Sequence, residues 1–159
     1  MLKLKTLLMI TQIKFEFAIE PVAVQSARFF RAGKHIRSFQ PEKVKDFKGF
    51  IRYSAISQLP DGFIPFDEPL RIDADFVFLP PKSLSKRELK KIESGEIVYK
   101  TTRPDLTDNL MKGVADALTK LVWTDDSRVC EVHSRKRYGL FAGIYFTVSL
   151  LDVPPCVEP

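Results

Sequence analysis

The sequence predicts one compact α+β domain in which a mixed four-stranded sheet packs against two main helices. Three observations carry that expectation. Four stretches alternate apolar and other residues with the period of two expected of half-buried strands. Two longer stretches carry apolar stripes at helical spacing. Strands and helices follow one another in mixed order, which suits helices layered on one sheet face. With 159 residues, 45% of them hydrophobic, the chain can bury one real core and fits one domain better than two. The domain is expected to span 1–159, with its core at about 13–150 and frayed ends at 1–11 and 152–159.

The first strand is read from QIKFEFAIE, where Ile13, Phe15, Phe17 and Ile19 face one way and Lys14 and Glu16 the other. Pro21 ends it. The basic, aromatic run QSARFFRAGKHIRSF reads as a loop or ragged hairpin interrupted by Gly33. Pro41 opens the first helix, in which Val44, Phe47, Ile51 and Ala55 form the apolar stripe. LRIDADFVFL is the second strand, with Leu70, Ile72, Ala74, Phe76 and Phe78 inward, and Pro80 and Pro81 stop it. A short basic helix follows, with Ser85 and Glu88 as a capping box and Gly95 as its stop. The second main helix runs roughly from Asp108 to Leu121, burying Leu110, Val114, Ala117, Leu118 and Leu121. Residues 128–138 and 144–151 supply the last two strands.

The net charge is +5, which permits a polyanionic partner without establishing one. Its distribution says more. Residues 1–60 hold eleven Lys or Arg against four acids, whereas residues 104–131 hold six acids against three basic residues. An acidic island between basic stretches suits an enzyme that holds cations and grips a polyanion; chance scatter in a mildly basic protein produces the same layout. Cys130 and Cys156 have no zinc or redox spacing, and the pattern suits a reducing, cytoplasmic setting. No apolar run is long enough to span a membrane, and the leader MLKLKTLLMI is too short for a secretion signal. Phosphate-loop, dinucleotide and HExxH fingerprints are absent, so no small-molecule cofactor is expected.

The segment RPDLTDNLMKGVADALTKLVWTDD then raises two readings. In the structural one, Asp105 or Thr107 caps the helix, Asp108 sits in its first turn, and Asp125 and Asp126 belong to an ordinary loop. Lys112 then pairs with Asp108 or Asp116 at helical spacing. In the functional reading, the fold returns Asp125 or Asp126 to the helix start, and the carboxylates become hard oxygen ligands for Mg²⁺ or Mn²⁺. Lys112 would then neutralise the cluster or meet a phosphate. Spacing alone leaves both open. Trp123 reads as a core residue and His133 as structural. Two basic groups, one containing Arg28, Arg31 and Lys34 and one containing Arg135 and Lys136, are candidate phosphate contacts.

The segment from PKSLSKRELKK to HSRKRYG closely resembles the RusA family of endodeoxyribonucleases, small Holliday junction resolvases often carried by prophages. The resemblance rests on Arg103-Pro104-Asp105, Asp108-Asn109-Leu110 with Lys112, Asp116-Ala117-Leu118, Trp123 with Asp125-Asp126, and Lys136 at a strand end. It covers roughly residues 13–150. It implies a RusA-like fold and a homodimer that cuts four-way junctions, with Mg²⁺ as cofactor and Mn²⁺ as substitute. It also implies 5′-phosphate and 3′-hydroxyl ends and roles in DNA recombination and repair. By position the catalytic residues are Asp105, Asp108, Asp126 and Lys112. The metal ligands are Asp105, Asp108 and Asp126, with Asp125 close by. The DNA contacts are Arg28, Arg31, Lys34, Lys82, Lys86, Arg87, Arg103, Arg135 and Lys136.

One departure matters. The family places one residue between its first two aspartates, and this chain places two, Leu106 and Thr107. A bulge before the regular helix would absorb the extra residue and keep Asp105 in place. If it does not, the protein binds junctions without cutting them. A nuclease for flaps or nicked duplex built on the same residues is the other alternative.

Overall fold

The computed structural model describes residues 10–24, 28–32, 35–39 and 41–151. Its strands are β1 (Gln12–Phe17), β2 (Arg28–Ala32), β3 (His35–Phe39), β4 (Leu70–Phe78), β5 (Val98–Tyr99), β6 (Val129–Tyr138) and β7 (Gly143–Leu150). Its α-helices are α1 (Glu42–Gln58), α2 (Lys86–Glu93) and α3 (Lys112–Leu118). Five strands form one mixed sheet in the order β1-β7-β4-β6-β5, in which only β4 and β6 run parallel. β2 and β3 pair by themselves as an antiparallel hairpin.

The α+β class agrees with the sequence expectation, but among the described residues the sheet has five strands rather than four, and there are three α-helices rather than two main ones. The addition is β5, an edge strand of two residues, Val98 and Tyr99. A stretch that short has no periodicity to read, and it forms because β6 offers it a partner at Tyr138 and Arg137.

Alternation decides which sheet face is covered. Phe15, Phe146 and Ala74 lie directly across from one another on β1, β7 and β4, and all are buried. Val44, Phe47, Ile51 and Ala55 of α1 and Val114, Ala117 and Leu118 of α3 lie in the same core cluster. Lys48 of α1 joins Asp116 of α3 by a 2.8 Å ion pair. Asp116 therefore pairs across helices, not with Lys112 along its own. Among the described residues, the opposite sheet face is uncovered and largely polar. There Asp75 of β4 receives Arg135 at 3.0 Å and Arg137 at 2.8 Å from β6.

The short helix α2 forms as its sequence predicts. Ser85 and Glu88 make a complete capping box, and Gly95 adopts a positive φ just past the C-terminus.

Candidate functional site

The segment that delivers Asp105 is held from β6. The Lys136 ammonium donates to the backbone carbonyls of Thr102 and Pro104, each at 2.7 Å. The Arg103–Pro104 peptide between them is cis. Asp105 occupies the N-cap position, yet its side chain makes no capping hydrogen bond. The structural reading as a side-chain cap is not realised.

The helix opens on a wide π-helical turn, Leu106–Met111, before regularising as α3. Its signature bond runs from Leu110 N–H to the Asp105 carbonyl at 3.2 Å, five residues back. A π turn accommodates one residue more than an α turn of the same helix. The extra residue between Asp105 and Asp108 thus has a place inside the first turn, rather than before it. Leu110 and Met111 are buried and anchor the turn, while Asp105, Asp108 and Lys112 are exposed. Asn109 accepts the Val24 N–H through its backbone carbonyl at 3.4 Å, which draws the approach to the β2–β3 hairpin onto this turn.

The second acidic pair sits elsewhere. α3 stops at Leu118, and Lys120 takes a positive φ of 66° to reverse the chain. The returning strand is pinned by Phe66, whose N–H reaches the Val122 carbonyl and whose carbonyl accepts from Thr124 N–H, both at 2.9 Å. Trp123 is thereby buried completely and stacks on Phe146. Its indole N–H donates to Asp126 Oδ1 at 3.1 Å, and the Thr119 hydroxyl bonds to the same oxygen. Asp125 instead caps the short turn Asp126–Arg128 by accepting from Ser127 N–H at 2.9 Å. Hydrogen bonding from Ser127, by its side chain first and then by its backbone N–H, holds the Asp125 carboxyl below its ordinary range.

Within one chain the structure does not bring the two acidic pairs together. The expectation that the loop after Trp123 returns to the helix start is not met. Asp126 is tied to Thr119, at the C-terminal end of the helix that Asp108 begins. From Asp108 to Thr119 the helix advances roughly 15 Å at about 1.5 Å per residue, somewhat less through the wide turn. Among the described residues, no group of three or more acids, histidines or cysteines could hold a metal ion. The donor chemistry suits Mg²⁺ or Mn²⁺, which take oxygen ligands, but the geometry of a single chain does not assemble the set.

The other expected site residues are spread over several elements. Arg28 and Arg31 belong to β2, and Lys34 lies outside the described residues. Lys82, Lys86 and Arg87 are exposed at and before α2, and Arg103 is exposed two residues from Asp105. Arg135 lies on the uncovered sheet face, where its hydrogen bond to Asp75 raises its pKa. Sequence reasoning missed Thr119 and treated Trp123 only as core. No local pattern marks either as a partner of Asp126, because the contact depends on the reversal at Lys120.

A motif order of this length invites comparison with known proteins. The family profile described as "Endodeoxyribonuclease RusA" matches residues 18–149. The chain belongs to the RusA endodeoxyribonuclease family. It is also similar to the "Uncharacterized protein YqaN" of Bacillus subtilis (strain 168), with 38% identity over 131 residues. That match covers 80% of this chain and 88% of its relative. Membership of the RusA family directs attention to Asp105, Asp108, Lys112 and Asp126. Among the described residues of this RusA-family chain, no helix is long and apolar enough to cross a membrane.

Proposed function

We propose that this RusA-family protein is a divalent-metal-dependent endodeoxyribonuclease that resolves four-way DNA junctions as a homodimer. Mg²⁺ is the proposed cofactor, with Mn²⁺ able to replace it. Two strands are cut by water attacking phosphorus, the P–O3′ bond breaking to leave a 5′ phosphate and a 3′ hydroxyl. The proposed setting is the cytoplasm, in recombination and repair of host or prophage DNA.

The observation that carries this reading is the exposed group at the start of the helix. Asp105 precedes and Asp108 lies within a wide turn, with neither carboxylate spent on a helix cap or, among the described residues, on an ion pair. Lys112 stands one helical turn after Asp108, exposed, where its charge can meet a phosphate. In this reading it serves as a fixed positive charge, not as a base. Arg103, the β2–β3 hairpin and the basic face of α2 supply positive charge for the duplex arms.

The test is cleavage of a labelled mobile four-way junction in Mg²⁺ and in Mn²⁺, with flap and linear duplex alongside. Wild type is expected to cut the junction in paired strands, and Asp108→Asn to bind it without cutting. Junction binding with no cutting by the wild type would identify an impaired binding protein. Equal or better cutting of flaps would identify a different branched substrate.

A further inference from the structure

Most of the uncovered sheet face is polar, but one end of it is not. Tyr99, Leu140, Phe141 and Tyr145 are all exposed there, Phe141 by 81%. The strand register places them together. Tyr99 of β5 lies across from Arg137 of β6, and Arg137 lies across from Val77 of β4. Tyr145 of β7 lies across from Asp75, two residues before Val77. The turn between β6 and β7 is pressed onto this end of the sheet. Gly139 N–H donates to the Phe78 carbonyl at 2.9 Å, and a Cβ at Gly139 would stand 2.5 Å from Val77 Cγ1. A close backbone approach that only glycine permits thus holds Leu140 and Phe141 where they are. Between this turn and the end of α2 lies a cleft of about 210 Å³, lined by Val77, Ile92, Arg137, Leu140, Phe141 and Tyr145. Val77 and Ile92 are buried and form its floor. A space of that size takes one large apolar side chain. Exposed apolar residues scattered singly need no account, but a group of them around a cleft marks a contact surface.

We propose that this end of the sheet docks an acidic segment of a partner protein, with one aromatic or leucine side chain of that segment seated in the cleft. Charge selects the occupant. Residues 82–100, which include α2 and β5 beside the cleft, hold six Lys or Arg against three Glu. Glu88 is engaged by Ser85, and Asp75 by Arg135 and Arg137. The rim is therefore positive, and an acidic partner is steered to it. A second copy of the chain would bring the same positive rim against itself. Duplex DNA offers phosphates, for which Tyr99, Leu140 and Phe141 carry no charge. A flat lipid surface does not fill a cleft. The face also points away from Asp105 and Asp108. Lys136, which holds the Asp105 segment, lies across from Phe76 on the buried side of the sheet, whereas Arg135 and Arg137 project from the other side. Substrate and partner can therefore be held at the same time.

The experiment is fluorescence anisotropy of a short labelled peptide, rich in Asp and Glu with one central Phe-Leu pair, titrated with the whole chain. Saturable binding is expected, and it should weaken as salt is raised. A peptide with Lys in place of its acids, or with Ser in place of Phe and Leu, should bind at least about tenfold more weakly. Phe141→Ser and Leu140→Ser should each weaken binding of the acidic peptide by about tenfold. Both side chains are exposed, so circular dichroism and the thermal midpoint should not change. Junction binding and cutting by these variants should match those of the wild type. No saturable binding of the acidic peptide overturns the proposal, as does equal binding of its basic counterpart or full-strength binding by both variants. So does a peptide that fails to bind while Phe141→Ser abolishes binding of oligothymidylate, binding of anionic phospholipid vesicles or self-association of the protein. The surface would then belong to single-stranded DNA, to a membrane or to a second copy of the chain.

Discussion

The indole N–H of Trp123 donates to Oδ1 of Asp126 at 3.1 Å, from a ring that is completely buried. One face of the molecule's core is therefore wired to a carboxylate at its surface. The Thr119 hydroxyl meets the same oxygen, which leaves Oδ2 as the atom to present outward. Trp123 is the chain's only tryptophan, so its emission reports on this one carboxylate. Mn²⁺, a paramagnetic quencher, is expected to reduce that emission in a saturable way. Asp126→Asn should weaken the effect at least tenfold in Mn²⁺ concentration, equivalent to about 1.4 kcal/mol of binding free energy. A titration in which the variant quenches like the wild type would remove Asp126 from the ligand set.

Lys136 distinguishes a DNA contact from an internal brace. Its ammonium is half-buried and already bonded to the carbonyls of Thr102 and Pro104. Lys136→Met should cost about 1.5–3 kcal/mol in unfolding free energy, the range for hydrogen bonds made by a charged group. It should also lower cutting through displacement of Asp105. The salt dependence of junction binding should hardly change, whereas loss of a phosphate contact lowers its slope by about one. A reduced slope at unchanged stability would restore Lys136 to the DNA surface.

How far the amino-acid sequence reveals each feature depends on the range of the interaction behind it. The inward sets of β1 and β4, the stripe of α1 and the capping box of α2 follow from local periodicity and spacing, and each forms where expected. Asp105, Asp108 and Lys112 are legible as a group because they share one helix start. The position of Asp126 is not legible. It depends on the left-handed turn at a lysine, on Phe66 capturing the returning strand, and on Trp123 packing against Phe146. These are contacts between segments far apart in sequence, and none has a period. The pairing of Asp116 with Lys48 is hidden for the same reason, since spacing points to Lys112 and only helix packing reveals α1.

Gly113 tests how closely the segment before the hairpin must approach α3. A Cβ built there stands 2.4 Å from Val24 Cγ2. In an open helix Gly→Ala stabilises by about 1 kcal/mol, but overpacking of this kind costs about 1–3 kcal/mol. Clash is expected to win, so Gly113→Ala should lower the thermal midpoint. It should also reduce junction affinity if the hairpin carries DNA contacts. Adding Val24→Ala removes the obstructing methyls and should recover much of the difference in midpoint. A stabilised single variant would mean that the two segments pack less tightly than the structure shows.

The capping box of α2 predicts a local pH dependence with a definite sign. Hydrogen bonds from the Ser85 side chain and backbone pull the Glu88 carboxyl below its ordinary value of 4.5. The folded helix thus favours the ionised form. Its contribution is complete above the ordinary value and disappears as pH falls through the lowered one. Amide exchange across Lys86–Glu93, followed from about pH 6 to about pH 3 and corrected for intrinsic rates, should show the helix end loosening in that window. Ser85→Ala should loosen it already at neutral pH and flatten the dependence. An unchanged profile in that variant would mean the box contributes nothing in solution.

The wide turn at Leu106–Met111 can be removed by deleting a single residue. Thr107 is the choice, because it is exposed whereas Leu106 packs against the core. Deletion returns the spacing of the first two aspartates to one intervening residue. It also lets an ordinary α-helical bond replace the long-span bond from Leu110 to Asp105. Asp108, Asn109 and Lys112 keep their mutual register, and the brace from Lys136 still holds the backbone before Asp105. If the π turn only absorbs the inserted residue, the shortened protein should fold with an equal or higher thermal midpoint. It should then cut within about tenfold of wild type, a change of about 1.4 kcal/mol in activation free energy. If it folds and binds junctions but cutting falls by several orders of magnitude, the turn is an aiming device. The extra residue would then direct the Asp105 carboxylate to a place that a regular helix start does not reach.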